Sequence, residues 1–182
     1  MAYLVLLIAI LSRVLPRVLH ITGGNVTTVG ASLLFFGACL ASGKRWHAAF
    51  AVVALAATDW WLTVYGYGYD FHLSGYIVTW LWYAAVCLAA SVALHRKHSW
   101  LSAGFGALAS ATSFFALSNL VVFLRSGMYP HTVDGLIACY TAAVPFYQND
   151  LISTLVFSAV FFLLPTTESV PGFAGTSFRN AA

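Results

Sequence analysis

The sequence predicts an all-α, polytopic membrane protein, a bundle of six transmembrane helices. Two observations lead to this fold class. Of the 182 residues, 61% are hydrophobic and only 7% are charged, whereas about 25% of the residues in soluble domains are charged. The apolar runs are also long and continuous, which favours helices over the alternating strands of a membrane barrel. This composition argues against a soluble enzyme, a disordered chain and a nucleic-acid-binding protein.

Six apolar segments have lengths that suit a bilayer crossing, which takes about 17–25 residues. They are residues 2–19, 26–42, 46–65, 73–95, 100–124 and 147–164. The breaks between them are rich in Gly, Ser, Tyr or basic residues and are typical of loops. The first segment lacks a basic start and a small-residue cleavage site, so we interpret it as a retained span rather than a cleaved signal peptide.

The last outer loop contains a further apolar stretch, residues 136–144, which is too short to span a bilayer and is followed by Pro145. We expect it to form an extra short helix at the outer interface or dipping into the protein. Residues 1–165 are then a single transmembrane domain. Residues 166–182, rich in Ser, Thr, Gly and Pro, are expected to form a flexible cytoplasmic tail.

Two basic pairs predict the orientation of the chain. Lys44-Arg45 and Arg96-Lys97 fall on the same side as both termini when the chain has six spans. The positive-inside rule places that side in the cytoplasm. We therefore expect a multi-pass protein of the bacterial inner membrane, with cytoplasmic N and C termini.

Charged residues within apolar segments are the best pointers to function in such a chain. Arg13 and Arg17 are four residues apart, so they share one helix face, and Asp59 could pair with either. An ion pair that only pins two spans explains Arg13 and Asp59 about equally well. All three residues fall toward the outer ends of their spans, where other polar residues also gather.

This outer polar layer is the candidate binding site, because a pocket with few convergent polar groups suits capture of a small molecule. We expect Arg13 and Arg17 to supply charge and Tyr129 and Tyr140 to form a lid. The walls would be Trp60, Trp61 and Tyr65 together with these tyrosines. The candidate substrate-binding residues are Arg13, Arg17, Asn25, Asp59, Asn119, Tyr129, Tyr140 and Asn149. The alternative explanation of the aromatic residues is an interfacial belt. Taken singly, five of them are better explained by this belt: Tyr65, Tyr67, Tyr69, Trp80 and Trp82.

Catalysis finds little support in the sequence. It contains no His-Glu-x-x-His, Gly-x-Ser-x-Gly or paired-carboxylate pattern, so we expect neither an enzyme nor a resident metal or cofactor. The three cysteines show no Cys-x-x-Cys spacing and are interpreted as packed hydrophobic residues. A weaker alternative is a metal or haem bound by His20, His72 and His131 on the outer face.

Small residues repeat every four positions along several spans. Ala85, Ala89 and Ala93 form one such row, and Ala103, Ala107 and Ala111 form another. Rows of this kind let membrane helices approach closely. Packing within the bundle is the default interpretation, and a partner subunit would use the same kind of surface.

Several stretches carry a resemblance to a known family. They are Ser12-Arg13 with Pro16, Asn25, Thr58-Asp59, Ser118-Asn119, Met128-Tyr129-Pro130-His131-Thr132, Gly135-Leu136-Ile137-Ala138-Cys139-Tyr140 and Val144-Pro145-Phe146-Tyr147-Gln148-Asn149. Together they resemble an uncharacterised bacterial family of small membrane proteins, over roughly Ser12 to Leu164. That family is in turn similar to the substrate-binding S subunits of energy-coupling-factor transporters. The resemblance implies a six-helix bundle that binds a vitamin or metal ion near its outer face and docks on a coupling subunit driven by two ATPases.

The function expected from the sequence is capture of a small, polar or anionic micronutrient-like molecule from the outer face, for uptake in the manner of an S subunit. The expected partners are the lipid bilayer, the small-molecule ligand and a coupling transmembrane subunit with its ATPases. We expect no nucleic-acid partner. The alternative is a structural or accessory subunit of a larger respiratory or photosynthetic membrane complex. In that case the small-residue faces would contact neighbouring chains.

Overall fold

The chain folds into a bundle of six α-helices. A computed structural model describes residues 1–20, 26–95 and 99–163, and contains no strand within them. The helices are α1 (Ala2–Val18), α2 (Val29–Ala38), α3 (His47–Trp61), α4 (Leu73–Ala93), α5 (Trp100–Arg125) and α6 (Val133–Leu163). A 3₁₀ turn at Ser42–Lys44 joins α2 to α3, and a π-helical turn at Leu62–Gly66 extends α3.

Four of these helices are long and apolar enough to cross a membrane: α3 with its π-helical turn, α4, α5 and α6. These apolar helices fit a membrane protein. The other two are shorter, since α1 has 17 residues and α2 only ten. A ten-residue helix is about 15 Å long, half the thickness of the hydrocarbon layer. The structure therefore does not supply the six full-length spans expected from hydropathy, because residues 26–28 and 39–42 of the second apolar segment lie outside α2.

Helix α2 forms the centre of the bundle. All ten of its residues are buried, and α1, α4, α5 and α6 pack around it. Leu33 and Phe36 are fully enclosed, and Phe35 meets Phe162 of α6 edge to face with ring centroids 5.5 Å apart. A helix that is apolar on every side is stable only when neighbours cover every side. Helix α2 is thus the core of the fold rather than one wall of it.

A glycine permits a close approach of α2 to α4. Gly37 of α2 faces the backbone of α4, and a Cβ atom there would overlap the carbonyl oxygen of Cys87 and lie 2.8 Å from the Cβ of Ala90. The thiol of Cys87 in turn donates to the carbonyl oxygen of Leu33, with 3.6 Å between the atoms. Without a side chain at Gly37, α2 and α4 pack backbone against backbone.

The two rows of alanines have different surroundings. Ala103, Ala107 and Ala111 are buried within the bundle, as expected for intramolecular packing. Ala85, Ala89 and Ala93 line an open, mostly apolar groove of about 700 Å³ between α4 and α5. The second row therefore faces outward, where a lipid or another chain can reach it.

The prediction of an extra short helix in the last outer loop is wrong. Residues 136–144 belong to α6, which runs for 31 residues with Pro145 inside it. The reason is packing on α5 on both sides of the proline. The hydroxyl of Tyr140 donates to the carbonyl oxygen of Ala116 at 2.7 Å, and the hydroxyls of Tyr147 and Thr112 are 2.9 Å apart. These tertiary contacts offset the backbone hydrogen bond that the proline removes.

Some of the sequence predictions fall outside the described residues. They concern Asn25, the basic pair Arg96-Lys97 and the tail at residues 166–182. The other basic pair, Lys44-Arg45, is exposed at the 3₁₀ turn between α2 and α3.

Replacing Gly37 with alanine should destabilise the protein. The added methyl group meets the α4 backbone, which cannot rotate away as a side chain could, so we expect a loss of about 1–3 kcal/mol in the free energy of unfolding in detergent. Gly104→Ala on α5 is the matched control, since nothing lies within 4 Å of a Cβ there. It should be neutral or stabilising by up to about 1 kcal/mol. Equal stability of the two variants would contradict the close packing of α2 on α4.

Candidate functional site

A large polar cavity lies beside α1. It has a volume of about 580 Å³ and is bounded by α1, the end of α3 with its π-helical turn, the following loop and the start of α4. Its lining residues are Ser12, Arg13, Pro16, Arg17, His20, Val26, Thr27, Asp59, Leu62, Thr63, Tyr67, Tyr69 and Tyr76. Three of these carry formal charge: two arginines and one aspartate.

A buried ion pair forms the inner end of this cavity. Arg13 Nη2 lies 2.5 Å from Asp59 Oδ1, and the indole Nε1 of Trp80 donates to Asp59 Oδ2 at 2.9 Å. The Asp59 side chain is only 2% exposed and that of Arg13 is 20% exposed. Both carboxylate oxygens therefore have a donor, as a charge at such burial requires.

The same end of the cavity ties three helices together. Arg13 Nη1 of α1 donates to the hydroxyl of Tyr83 on α4 at 3.3 Å. The hydroxyl of Thr63 donates to the backbone oxygen of Asp59 at 2.7 Å and is 2.5 Å from the hydroxyl of Tyr76. Side chains of α1, α3 and α4 thus hold one another in a hydrogen-bonded network, which fixes the shape of the inner wall.

Arg17 lies one helical turn along α1 from Arg13 and has different partners. Its Nε donates to the backbone oxygen of Gly66 at 2.6 Å, and its guanidinium carbon is 5.0 Å from the centroid of the Tyr67 ring. These contacts are a hydrogen bond to a neutral carbonyl and a cation–π contact. In the described residues Arg17 forms no ion pair, so one positive charge of the cavity lining stays uncompensated.

This arrangement is suited to binding an anion. A guanidinium presents several donors in a fixed plane and binds carboxylate or phosphate oxygens in pairs. The tyrosines at positions 67, 69 and 76 add hydroxyls and ring faces around it. Within the described part of the chain, no group of three or more His, Cys, Asp or Glu residues is placed to hold a metal ion.

The structure brings together only some of the eight residues predicted from sequence. Arg13, Arg17 and Asp59 line one cavity, and Asp59 pairs with Arg13 rather than Arg17. Asn25 lies outside the described residues. The others lie on α5, on α6 or in the segment between them and do not line this cavity: Asn119, Tyr129, Tyr140 and Asn149. Asn119 and Tyr140 bond to backbone oxygens of α5.

The aromatic walls differ from those expected. Trp60, Trp61 and Tyr65 are absent from the cavity lining, which instead contains Tyr67 and Tyr69 from the loop after α3. The sequence explanation for these tyrosines was an interfacial belt. The π-helical turn Leu62–Gly66 brings the chain to α1, where Arg17 donates to the backbone oxygen of Gly66. No sequence pattern predicts such a turn.

Several residues of the network were not singled out from the sequence. Trp80 binds the carboxylate of Asp59, and Ser12 binds the start of α2 by accepting from the backbone N–H of Thr28 at 3.2 Å. The only signal available was the rule that a carboxylate within an apolar helix needs donors. That rule requires partners but does not identify them, because the partners come from other helices.

The fold and the cavity define a class: an all-helical protein with membrane-type helices and a polar cavity that carries excess positive charge. The chain belongs to the family described as "Family of unknown function (DUF6580)", whose model matches residues 1–169. Neither the curated proteins nor the solved structures gave a match to the chain.

Replacing Asp59 with asparagine should strongly destabilise the protein. The change leaves the Arg13 guanidinium without its counter-charge, and breaking a buried pair typically costs about 3–5 kcal/mol of unfolding free energy. Asp70→Asn is the matched control, because Asp70 is exposed in the loop before α4. The double variant Arg13→Met with Asp59→Leu removes both charges and should recover most of the loss. Unfolding in detergent measures all four proteins, and an unaffected Asp59→Asn would refute the role of the pair.

Proposed function

We propose that the protein captures a small organic anion from the outer face of the bacterial inner membrane, in the manner of a transporter's substrate-binding subunit. The observation that carries this proposal is the uncompensated charge of Arg17 in a polar cavity of about 580 Å³. Arg13 is neutralised by Asp59, so the anion is recognised by Arg17, and the ion pair serves as the rigid inner wall.

The size and lining of the cavity support a vitamin-sized ligand. Ligand pockets typically measure about 300–1,000 Å³, and this cavity falls within that range. The ring faces of Tyr67 and Tyr69 offer apolar contact beside the guanidinium. A molecule with one anionic group and a compact organic body would use both features, since each satisfies a different part of the ligand.

The proposed topology keeps all six helices in the bilayer. Helix α2 is too short to cross alone, but α1, α4, α5 and α6 enclose it, so its ends need not reach both surfaces. The exposed Lys44-Arg45 pair then marks the cytoplasmic side. The cavity beside α1 opens at the opposite end, and both termini are cytoplasmic.

Energy for uptake would come from partner proteins. The sequence contains no Gly-x-x-x-x-Gly-Lys-Ser/Thr loop for binding ATP phosphates. The resemblance to S subunits supplies a concrete proposal, a coupling transmembrane subunit that carries two ATPases. In this scheme the chain itself contributes recognition, and the partners contribute movement.

Arg17→Gln should weaken anion binding strongly while leaving the fold intact. Loss of a charge-assisted contact costs about 1.5–3 kcal/mol, so the dissociation constant should rise by about 10–100-fold. The measurement is a thermal-shift and calorimetric comparison of nicotinate and pantothenate with their uncharged counterparts, nicotinamide and panthenol, on the purified full-length protein. Arg45→Gln is the matched control, because Arg45 is exposed at the 3₁₀ turn far from the cavity along the chain.

We expect at least one of the carboxylates to stabilise the wild-type protein and the Arg45→Gln variant, and its neutral counterpart to have little effect. An unchanged dissociation constant in Arg17→Gln would refute the assignment of Arg17. Equal binding of the charged and neutral molecules would refute anion recognition.

A second candidate function is that of an accessory subunit in a larger membrane complex. The observation in its favour is the open groove between α4 and α5, where Ala85, Ala89 and Ala93 face outward. Gentle solubilisation followed by size-exclusion chromatography separates the two proposals. A stoichiometric complex with cofactor-bearing chains supports the accessory role, whereas association with ATPase subunits supports uptake.

A further inference from the structure

A second polar cavity lies between α5 and α6, away from the residues of the Arg17 cavity. Its volume is about 140 Å³. Four polar side chains line it, Ser118 and Asn119 of α5 with Tyr147 and Asp150 of α6, among phenylalanine and alanine side chains. The apolar segment at residues 147–164 would put Asp150 near the outer start of the last span, but α6 begins 17 residues before Asp150, at Val133.

The position of Asp150 within α6 places it inside the hydrocarbon layer. The 31 residues of α6 extend for about 46 Å, and Asp150 lies about 26 Å from the start and 20 Å from the end. The hydrocarbon layer is about 30 Å thick. Asp150 is less than about 30 Å from either end of α6. If α6 stands upright and crosses the whole layer, Asp150 therefore lies inside the layer wherever the layer begins. The aspartate is therefore an intramembrane carboxylate, a residue type that usually serves a function.

The charge of Asp150 has no counterpart in the described residues. Its carboxylate forms neither an ion pair nor a hydrogen bond there, and no Lys, Arg or His lines the cavity. Helices α5 and α2 pack against α6. The only charged residue of α5 is Arg125 at its far end, which donates to the backbone oxygen of Ser74, and α2 has none. Tyr147 is the one other titratable group lining the cavity.

The neighbouring polar groups present oxygen atoms to the cavity. The amide nitrogen of Asn119 donates to the backbone oxygen of Phe115 at 2.8 Å, which leaves its carbonyl oxygen as the other polar atom. The hydroxyl of Ser118 donates to the same backbone oxygen at 3.5 Å, so its lone pairs stay available. Carboxylate, amide carbonyl and hydroxyl oxygens are the ligands that hard cations prefer.

A row of buried hydroxyls continues this polar seam. Thr154 and Ser158 follow Asp150 at intervals of four residues and share its side of α6, and Ser110 of α5 lies near Thr154 beside Gly30. These three side chains are 1%, 2% and 3% exposed, respectively, and their oxygens have no hydrogen-bond partner in the described part of the chain. A buried hydroxyl without a partner costs free energy. Four polar positions along one helix seam are more than packing requires.

We propose that the cavity between α5 and α6 binds one monovalent cation, Na⁺, through the carboxylate of Asp150 and the side-chain oxygens of Asn119 and Ser118. One carboxylate balances one positive charge, so a divalent ion would leave an excess charge in a low-dielectric site. The cavity volume favours a metal ion over a proton. It has room for an ion and a few waters of about 30 Å³ each, and a proton needs no such space. This proposal is independent of anion capture in the Arg17 cavity.

The test is the stability of the full-length protein in lipid nanodiscs as NaCl replaces choline chloride at constant ionic strength and pH. Above its dissociation constant, Na⁺ should raise the Tm in proportion to the logarithm of its concentration, by about 3–5 °C for each tenfold increase. Asp150→Asn should remove the response to Na⁺. Asp134→Asn, an exposed position in the first turn of the same helix, should keep it, and so should Arg17→Gln.

A second variant covers the case in which Asp150→Asn does not fold. Asn119→Ala removes one neutral ligand and should raise, by about tenfold, the Na⁺ concentration at which the Tm begins to increase. Binding of radioactive ²²Na⁺ to the wild-type protein gives a direct count, with one site per chain expected. An equal response to Na⁺ and choline, or a response to pH with none to Na⁺ at fixed pH, overturns the proposal. So does an unchanged Na⁺ response in a folded Asp150→Asn.

Discussion

The complete burial of α2 is the constraint on which the rest of the structure depends. In a bilayer the lipid tails are as apolar as the side chains, so helices associate through close packing rather than through the hydrophobic effect. Helix α2 meets this condition with small residues on its packing faces, Gly30 and Gly37 among them, which bring α6 and α4 close. Four helices can therefore surround a ten-residue segment. Helices α4 and α5 each pack on α2 as well as on each other. Their positions therefore do not depend on their mutual contact alone, and a groove is left between them.

Helix α3 packs mainly on α4 and α1, and a polar network secures it there. The pair of Arg13 and Asp59 joins α1 to α3, and Trp80 joins α3 to α4. Burying two charges costs desolvation energy that their attraction only partly repays, so such a pair is weak evidence for stability by itself. Its geometry has another effect, because the network forms the inner wall of the cavity beside α1. Arg17 is not part of this ion pair. The residue that can recognise an anion is therefore distinct from the residues that shape the site.

The sequence could predict those features of the fold and the cavity that depend on the residues of one segment, and not those that depend on contacts between helices. Long apolar helices and the need of Asp59 for an arginine follow from the cost of exposing backbone or charge to lipid, so both are readable from residues alone. The continuation of α6 through Pro145 could not be predicted in this way, because contacts with α5 outweigh the tendency of proline to end a helix. The position of a side chain around the bundle was not readable either, because it depends on which helices pack together. Asn119 and Tyr140 were therefore grouped with Arg13, although they face a different seam.

Asp59 and Asp150 show what the fold does with an expensive charge. Asp59 has an arginine and an indole as donors, so the chain itself neutralises it. Asp150 has no such donors in the described residues, and the packing of α2, which holds the bundle together, does not involve its carboxylate. A residue that the fold neither needs nor neutralises is best explained by something that binds it. The cavity of Arg17 and the cavity of Asp150 thus carry excess charge of opposite sign. Helix α2 contacts an element of each, through Thr28 with Ser12 and Gly30 with Thr154, so the same rigid core fixes the spacing between both sites.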